Sequence, residues 1–240
     1  MTGLPREYED KGIRRYGFHG LSYEYVTEYL RSRHEATFTR RRIVIAHLGN
    51  GASMAAIRDG RSIEITMGFS PLSGLLMGTR CGDLDPGIVL HLLMEMGMSV
   101  KAVQRLLYER CGLLGISGLS SNMEDLLAQE QAPAAAEAIE LFCYRARAHL
   151  AALTAALGGL DQLVFTGGMG ANAAEIRTRV CAGMQYLGIE IDEERNRQEE
   201  STISAPGSDV TIEVIPTDEE LMIARHTYRL VTKVSDLRGG

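Results

Sequence analysis

Ile43-Val44-Ile45-Ala46-His47-Leu48-Gly49-Asn50-Gly51-Ala52-Ser53-Met54-Ala55-Ala56-Ile57-Arg58-Asp59-Gly60-Arg61-Ser62-Ile63-Glu64-Ile65-Thr66 is the stretch whose reading decides the fold class. Ile43 to Ala46 is a short run of apolar, mostly β-branched residues, the composition of a buried strand. The chain then turns at Gly49-Asn50-Gly51 and enters a second strand, Ser53 to Arg58. Asp59-Gly60 predicts a two-residue hairpin turn, because both positions tolerate positive φ. A third strand, Ile63 to Thr66, completes an antiparallel meander.

Upstream, Leu21 to Arg33 has helical periodicity, with Val26, Tyr29 and Leu30 on one face. Downstream, Met67 to Asp83 is a long glycine-rich loop, and long loops inside compact domains are usually functional. Asp85-Pro86 predicts a helix start, with Asp as N-cap and Pro at the first helical position. Ser99 caps the next helix, which carries Val103, Leu106 and Leu107. A short helix follows near Met123 to Ala128, then a long one from about Pro133 to Leu157, ended by Gly158-Gly159. Gln162 to Phe165 reads as a buried strand, followed by a glycine turn into a helix starting near Ala171. Thr211 to Ile215 is the last strand. Thr217 and Glu220 have capping-box spacing at the start of the final helix. A purely parallel sheet would not contain the hairpin, so the pattern predicts an α/β fold with a mixed sheet flanked by helices.

The chain has 240 residues, 45% hydrophobic and 23% charged, with a formal net charge of -6. The acidic balance speaks against a polyanion-binding surface. The basic run Arg40-Arg41-Arg42 reads as a solvated strand entry, since no second cluster or interleaved aromatics accompany it; no nucleic-acid partner is expected. Cys81, Cys111, Cys143 and Cys181 are widely spaced, without the pairs of a zinc site or disulfide framework. Free thiols suit a reducing compartment. The charged N-terminus is not a secretory signal, and the most apolar stretch, Ala148 to Leu160, is too short to span a membrane. A cytoplasmic protein without a membrane partner is expected.

Three glycine-rich turns present backbone N–H groups suited to phosphate oxygens: His47-Leu48-Gly49-Asn50-Gly51, Gly78 to Asp83, and Gly167 to Asn172. Each alone reads by default as an ordinary turn, and neither a P-loop nor a full Gly-x-Gly-x-x-Gly fingerprint is present. His19, in Gly17-Phe18-His19-Gly20, and His47, ending a strand, read alone as a capping and a core histidine. Arg80 sits in a glycine loop with no apolar stripe beside it, a setting that suits a phosphate or carboxylate. Glu219, in the first turn of the last helix, reads alone as a favourable partner of the helix dipole.

Taken together these motifs resemble one family. RRYGFHGLSYEYV (Arg14 to Val26), IAHLGNGAS (Ile45 to Ser53), GFSPLSGLLMGTRCGDLDPG (Gly68 to Gly87), LVFTGGMGAN (Leu163 to Asn172) and PTDEELMIA (Pro216 to Ala224) occur in the order seen in acetate kinases. The resemblance runs from about Leu4 to Leu230. It implies a ribonuclease-H-like lobe of the actin and sugar-kinase type. It also implies reversible transfer of the ATP γ-phosphoryl group to acetate, with ADP as the other product and Mg²⁺ as the metal. By resemblance, His19 and Arg80 stabilise the transferring phosphoryl group. His47, Leu48, Gly49, Asn50 and Gly51 face the ATP phosphates. Asn122, Met123 and Glu124, with Gly168, Met169, Gly170, Ala171 and Asn172, hold the adenosine side. Phe18 and Pro71 line the pocket for the substrate methyl group, and Glu219 is a magnesium ligand. Acetate or another short-chain carboxylate is the implied substrate, and a homodimer the implied assembly.

The sequence departs from the family pattern in several places. Residues 1–240 correspond to the C-terminal lobe, so an absent, or separately encoded, N-terminal lobe is expected to be needed for activity. The family usually has an acidic residue, an apolar residue and an arginine where this chain has Asn122, Met123 and Glu124. Ala171 stands where the family has glutamate, and Tyr23 where it often has histidine. The alternative to a working kinase lobe is a truncated, catalytically inactive remnant that binds nucleotide or dimerises.

Overall fold

A computed structural model describes residues 2–33 and 37–238, with side chains described through residue 232. Its elements are α1 (Glu7–Asp10), α2 (Gly20–Arg33), β1 (Arg42–Leu48), β2 (Ala52–Arg58), β3 (Arg61–Ile65), α3 (Pro86–Met94), α4 (Val100–Glu109), α5 (Gly112–Ser117), α6 (Met123–Ala128), α7 (Pro133–Leu157), β4 (Gln162–Thr166), α8 (Gly167–Asn172), α9 (Ala174–Cys181), α10 (Glu193–Arg197), β5 (Thr211–Val214) and α11 (Glu219–Arg238).

The strands form one sheet in the order β3-β2-β1-β4-β5. β1, β2 and β3 are the antiparallel meander, and β4 and β5 join β1 in parallel. This is the mixed, ribonuclease-H-like sheet expected from the sequence. The turn at Asp59-Gly60 has φ of 54° and 70°, as a hairpin of this length requires.

Period-two alternation divides the core between the two faces of the sheet. Val44, Ala46 and Leu48 of β1 point into the larger core, with Phe142, Ala146 and Leu150 of α7. Ile43 and Ile45 point into the smaller one, with Tyr23, Val26 and Leu30 of α2. By the same alternation His47 falls on the α2 face. Both faces are therefore covered, and strands buried on two sides read as continuous apolar runs. α11 lies along α2, tied to it by His226–Glu24 at 2.8 Å and Arg225–Glu28 at 2.9 Å.

Several local expectations hold in atomic detail. Asp85 and Ser99 cap α3 and α4 through their side chains. Gly158 ends α7 in the left-handed conformation. The basic run is a strand entry: Arg42 pairs with Asp161 at 2.5 Å, and Arg41 donates to the Gln162 side chain.

Others are corrected. Tyr29 does not share the buried face of Val26 and Leu30; Ser22, Tyr23 and Thr27 do. The glycine segment after β4 is not a turn leading into a helix at Ala171. It is itself the helix α8, followed by α9. The capping box Thr217–Glu220 does not form. Asp218 takes the role, its carboxylate accepting from the Leu221 N–H at 2.8 Å, and the Thr217 hydroxyl is buried without a partner. α5 is an additional helix.

α8 is an intrinsically weak element. Half of its six residues are glycine. Each costs ~1 kcal/mol against alanine in a helix interior, and isolated helices below roughly 12 residues are marginal even with better sequences. Its conformation must come from its surroundings.

Candidate active site

β1, β4 and β5 run in parallel, so their C-terminal ends share one edge of the sheet. In open α/β sheets that edge is where ligands bind. Here it carries His47 with its following turn, Thr166 with α8, and the segment from Ile215 to Glu219.

Strand register gathers the polar residues. Ser53 is the cross-strand partner of His47, and Thr166 is its partner on the other side. All three sit at the end of the α2 face, where apolar packing gives way to hydroxyls and imidazoles. Ser22 of α2 bonds His47 Nδ1 at 2.8 Å. His19, just before α2, bonds Ser53 through Nδ1 at 2.8 Å, and the Tyr23 hydroxyl bonds the same Ser53 oxygen. His19 has φ of 59°, a left-handed conformation uncommon outside glycine. That backbone lets its carbonyl accept from the Tyr23 N–H at 3.1 Å, opening α2, while its ring turns onto the sheet edge. The two imidazoles then stack with centroids 4.3 Å apart and planes 21° from parallel.

Arg80 reaches the same place from the glycine loop. A Cβ built on Gly51 would lie 2.6 Å from an Arg80 guanidinium nitrogen and 3.3 Å from His19 Nε2. The absence of a side chain at Gly51 thus leaves the space in which the His47 turn, the arginine and the histidine meet. Arg80 Nη1 donates to the Pro71 carbonyl at 2.7 Å, which fixes its fork. Gly78 packs against the Asn50 side chain, and the Gly78 N–H donates to the Asn50 carbonyl at 3.2 Å. A Cβ on Gly49 would lie 4.0 Å from the Gly168 nitrogen. The His47 turn thus touches both of the other glycine segments singled out in the sequence.

Beyond this junction a cavity of about 640 Å³ opens, lined by Gly49, Asn50, Asn122, Glu124, Met169 and Asn172 among others. Gly168 and Met123 also line it. Leu48 and Gly170 are buried behind the wall, and the Ala171 carbonyl is engaged by Arg177. The Asn122 side chain caps α6, accepting from the Glu124 N–H at 3.0 Å. Phe18 lines a different cavity, of about 410 Å³ between α2 and the meander, and packs on the larger core. Pro71 stays beside Arg80.

Electrostatics follow from burial. His19 is lowered to about 4, first by burial, then by the neighbouring His47; Glu219 opposes the shift and Arg80 adds to it. Glu219 is thus near enough to act on His19. Burial also lowers His47 and Arg80. Both imidazoles are neutral at pH 7. The unfolded chain takes up a proton on each near pH 6.5, whereas folded His19 does so only near 4. Stability is therefore expected to fall as pH drops through that window, because the unfolded state binds more protons there. Urea unfolding at pH 7, 6, 5 and 4 checks this. A His19→Gln variant should show a shallower acid limb, and an unchanged limb would contradict a neutral His19.

Two residues at this edge escaped sequence reasoning. The Thr166 and Thr217 hydroxyls are buried without hydrogen-bond partners in the structure. Buried polar groups are normally satisfied, so each invites a ligand, ion or water. Among the described residues no group of three His, Cys, Asp or Glu forms a metal cage. A magnesium ion does not need one, since it takes one or two carboxylates plus substrate phosphates and keeps several waters. Glu219, whose charge acts on His19, is a carboxylate of the kind that donor set needs.

Sequence reasoning also missed the hydrogen-bonding part of Ser53 and Tyr23, which lie inside the family-like motifs, because the β1–β2 register is what brings Ser53 to the histidines. Among the described residues, no helix is long and apolar enough to cross a membrane.

Residues 1–225 match the Acetokinase family. An acetate kinase of Rhodopseudomonas palustris is 54% identical over 229 residues, which are 95% of this chain and 57% of the relative. An acetate kinase of Methylocella silvestris is 50% identical over 98% of this chain and 58% of its own length. Among solved structures, Porphyromonas gingivalis acetate kinase superposes with a TM-score of 0.90 at 39% identity, covering 96% of this chain and 59% of that one. A propionate kinase from Francisella tularensis superposes with a TM-score of 0.86 at 40% identity, over 92% and 58%. The chain thus spans less than two thirds of each of these relatives.

Proposed function

Because the chain belongs to the Acetokinase family, we propose that it forms one wall of a phosphotransferase moving the ATP γ-phosphoryl group reversibly to acetate. The products are acetyl phosphate and ADP. The observation that carries this reading is the meeting of Arg80, His19 and His47 at the junction of three glycine segments. A carboxylate oxygen attacks the γ-phosphorus in line, and the bond to the ADP oxygen breaks. Charge builds on the equatorial oxygens, and catalysis consists of holding donors where it builds.

Arg80 supplies the fixed charge. We assign His19 the role of a neutral donor: with Tyr23 donating to Ser53 and Ser53 donating to Nδ1, the ring proton sits on Nε2, beside Arg80. The amides of Gly49, Asn50 and Gly51 face the ATP phosphates, and the cavity of about 640 Å³ takes the nucleoside. Glu219 would hold Mg²⁺ together with nucleotide phosphates, and the ion when bound offsets charge on the β and γ oxygens. Pro71, whose carbonyl holds Arg80, borders the acyl site. An extra methylene changes binding by only ~1–3 kcal/mol, so propionate is expected to be a second substrate. We place the reaction in the cytoplasm, where the four free thiols stay reduced.

We take residues 1–240 as a C-terminal lobe, and the part of the relatives that this stretch does not match as the opposing wall of the cleft. Ile223 and Leu230 of α11, two turns apart on one face, stay exposed while Met222 is buried, a face suited to such a lobe. A homodimer is supported by α3, a strongly apolar helix none of whose residues is buried. Leu90, Met94, Met96 and Val100 are 56–74% exposed around it. Met94→Asp is expected to convert dimer to monomer in sedimentation equilibrium without changing the circular dichroism; a persistent dimer would remove α3 from the interface.

A hydroxamate assay for acetyl phosphate tests the whole reading. The 240-residue polypeptide alone is expected to show trace turnover. Joined to the complementary part of the Rhodopseudomonas relative, it is expected to reach ordinary kinase rates, ~1–100 s⁻¹. Such rates from the polypeptide alone would dispose of the need for an opposing wall. A second reading, a catalytically inactive remnant, is favoured by one observation: an exposed Glu124 carboxylate stands on the nucleotide-side cavity, where it opposes the charge of a phosphate. ATP binding without turnover in the joined protein would establish it.

A further inference from the structure

Arg177 of α9 is fully buried, the largest side chain in the structure with that property. A buried charge ordinarily has an ionic partner. Among the described residues, no carboxylate forms an ion pair with this one. Its bonds go instead to neutral oxygens. Nη1 donates to the Gly170 carbonyl at 3.0 Å and to the Ala171 carbonyl at 2.8 Å. Nε donates to the Asn196 side-chain oxygen at 2.7 Å, and Nη2 to the Asn196 carbonyl at 3.2 Å. Asn196, itself buried, turns its amide back onto α9, donating to the Ala174 carbonyl and the Thr178 hydroxyl.

The two carbonyls held by Nη1 belong to the end of α8. They are the acceptors a helix leaves unpaired at its C-terminus, where a cation also opposes the negative end of the dipole. α8 is the glycine-rich helix that cannot hold its shape alone, and Gly168, Met169 and Asn172 on its other side line the cavity of about 640 Å³. We infer that Arg177 is the positioning residue for this wall: an internal cation, oriented by Asn196, that clamps α8 from behind so that its opposite side is rigid toward a nucleotide. The nucleotide half of this inference rests on the function proposed above; the clamp rests on geometry alone. Burial lowers the Arg177 proton affinity, but a guanidinium remains charged there.

Lysine keeps the charge but not the planar fork, and a single ammonium cannot serve both carbonyls and Asn196. Hydrogen exchange by mass spectrometry on Arg177→Lys is expected to show protection at residues 168–173 reduced at least ~10-fold, with β1 and β2 unchanged. Calorimetric titration with ATP is expected to show a dissociation constant raised at least ~5-fold, and Arg177→Met should exceed both effects. Should Arg177→Lys not fold, Asn196→Ala carries the same test with a smaller expected loss. Protection at 168–173 within twofold of wild type in a folded variant would overturn the clamp. A loosened segment with an unchanged ATP constant would overturn the link to nucleotide. If wild-type chain binds no ATP while exchange still rises, the cavity's nucleotide reading falls and the clamp stands.

Discussion

Arg80→Ala is expected to lower acetyl phosphate formation by the joined enzyme about 10³–10⁵-fold, the range over which a charge-stabilising arginine acts in phosphoryl transfer. The loop does not depend on this side chain for its shape. Its backbone is pinned by the Cys81 N–H to Leu107, the Cys111 N–H to Thr79 and the Met77 N–H to the Arg80 carbonyl, all of which alanine preserves. Removing the guanidinium forfeits its bond to Pro71, worth about 1 kcal/mol. The variant should therefore fold normally and lose the chemical step, with little change in the ATP dissociation constant. Added guanidinium ion should restore part of the rate, which it would not do for a misfolded protein. Turnover near wild type would remove Arg80 from the reaction.

Gly112→Ala should be the most damaging small substitution near the site. Gly112 has φ of 67°, and a Cβ there would meet the Met77 carbonyl at 2.1 Å and the Arg80 backbone at 2.9 Å. These are main-chain atoms that cannot rotate away. Gly118 isolates the conformational part of the effect: its φ is 64°, yet nothing lies within 4 Å of a Cβ. Gly118→Ala is expected to cost about 1–2 kcal/mol for the left-handed backbone. Gly112→Ala should cost that plus the clash, about 3–5 kcal/mol in all. Urea unfolding of both variants measures the difference, and equal midpoints would show that the Arg80 loop can yield.

Much of this arrangement was legible in the sequence because it rests on local chemistry. Asp59-Gly60 specifies its turn, Asp85-Pro86 and Ser99 specify helix starts, and glycines mark where backbones approach closely. The convergence of His19, His47 and Arg80 is implied in the sequence only by the family resemblance, and the fold brings those residues together. What sequence did not reveal depends on partners distant along the chain. Helix α8 reads as a turn because three glycines argue against a helix, and the guanidinium that holds it comes from the next helix. Thr217 has the spacing of a capping box, but the helix begins at Glu219, so Asp218 is the capping residue and accepts from the Leu221 N–H. Ser53 and Tyr23 lie inside family-like motifs, but the β1–β2 register is what sets Ser53 beside His47, and the first turn of α2 sets Tyr23 beside His19.

The parallel pairing of β1 with β4 has a consequence for synthesis. Arg42 and Asp161, which close that pairing, are 119 residues apart. At ~5–20 residues per second, a ribosome delivers the second roughly 6–24 s after the first. During that delay the Ile43-Val44-Ile45-Ala46 edge has no neighbour on one side, and an apolar unpaired strand edge is a template for aggregation. Nascent chains stalled before residue 162 should therefore lean on chaperones, and a slow codon run upstream of β4 should lower soluble yield more than one placed after β5.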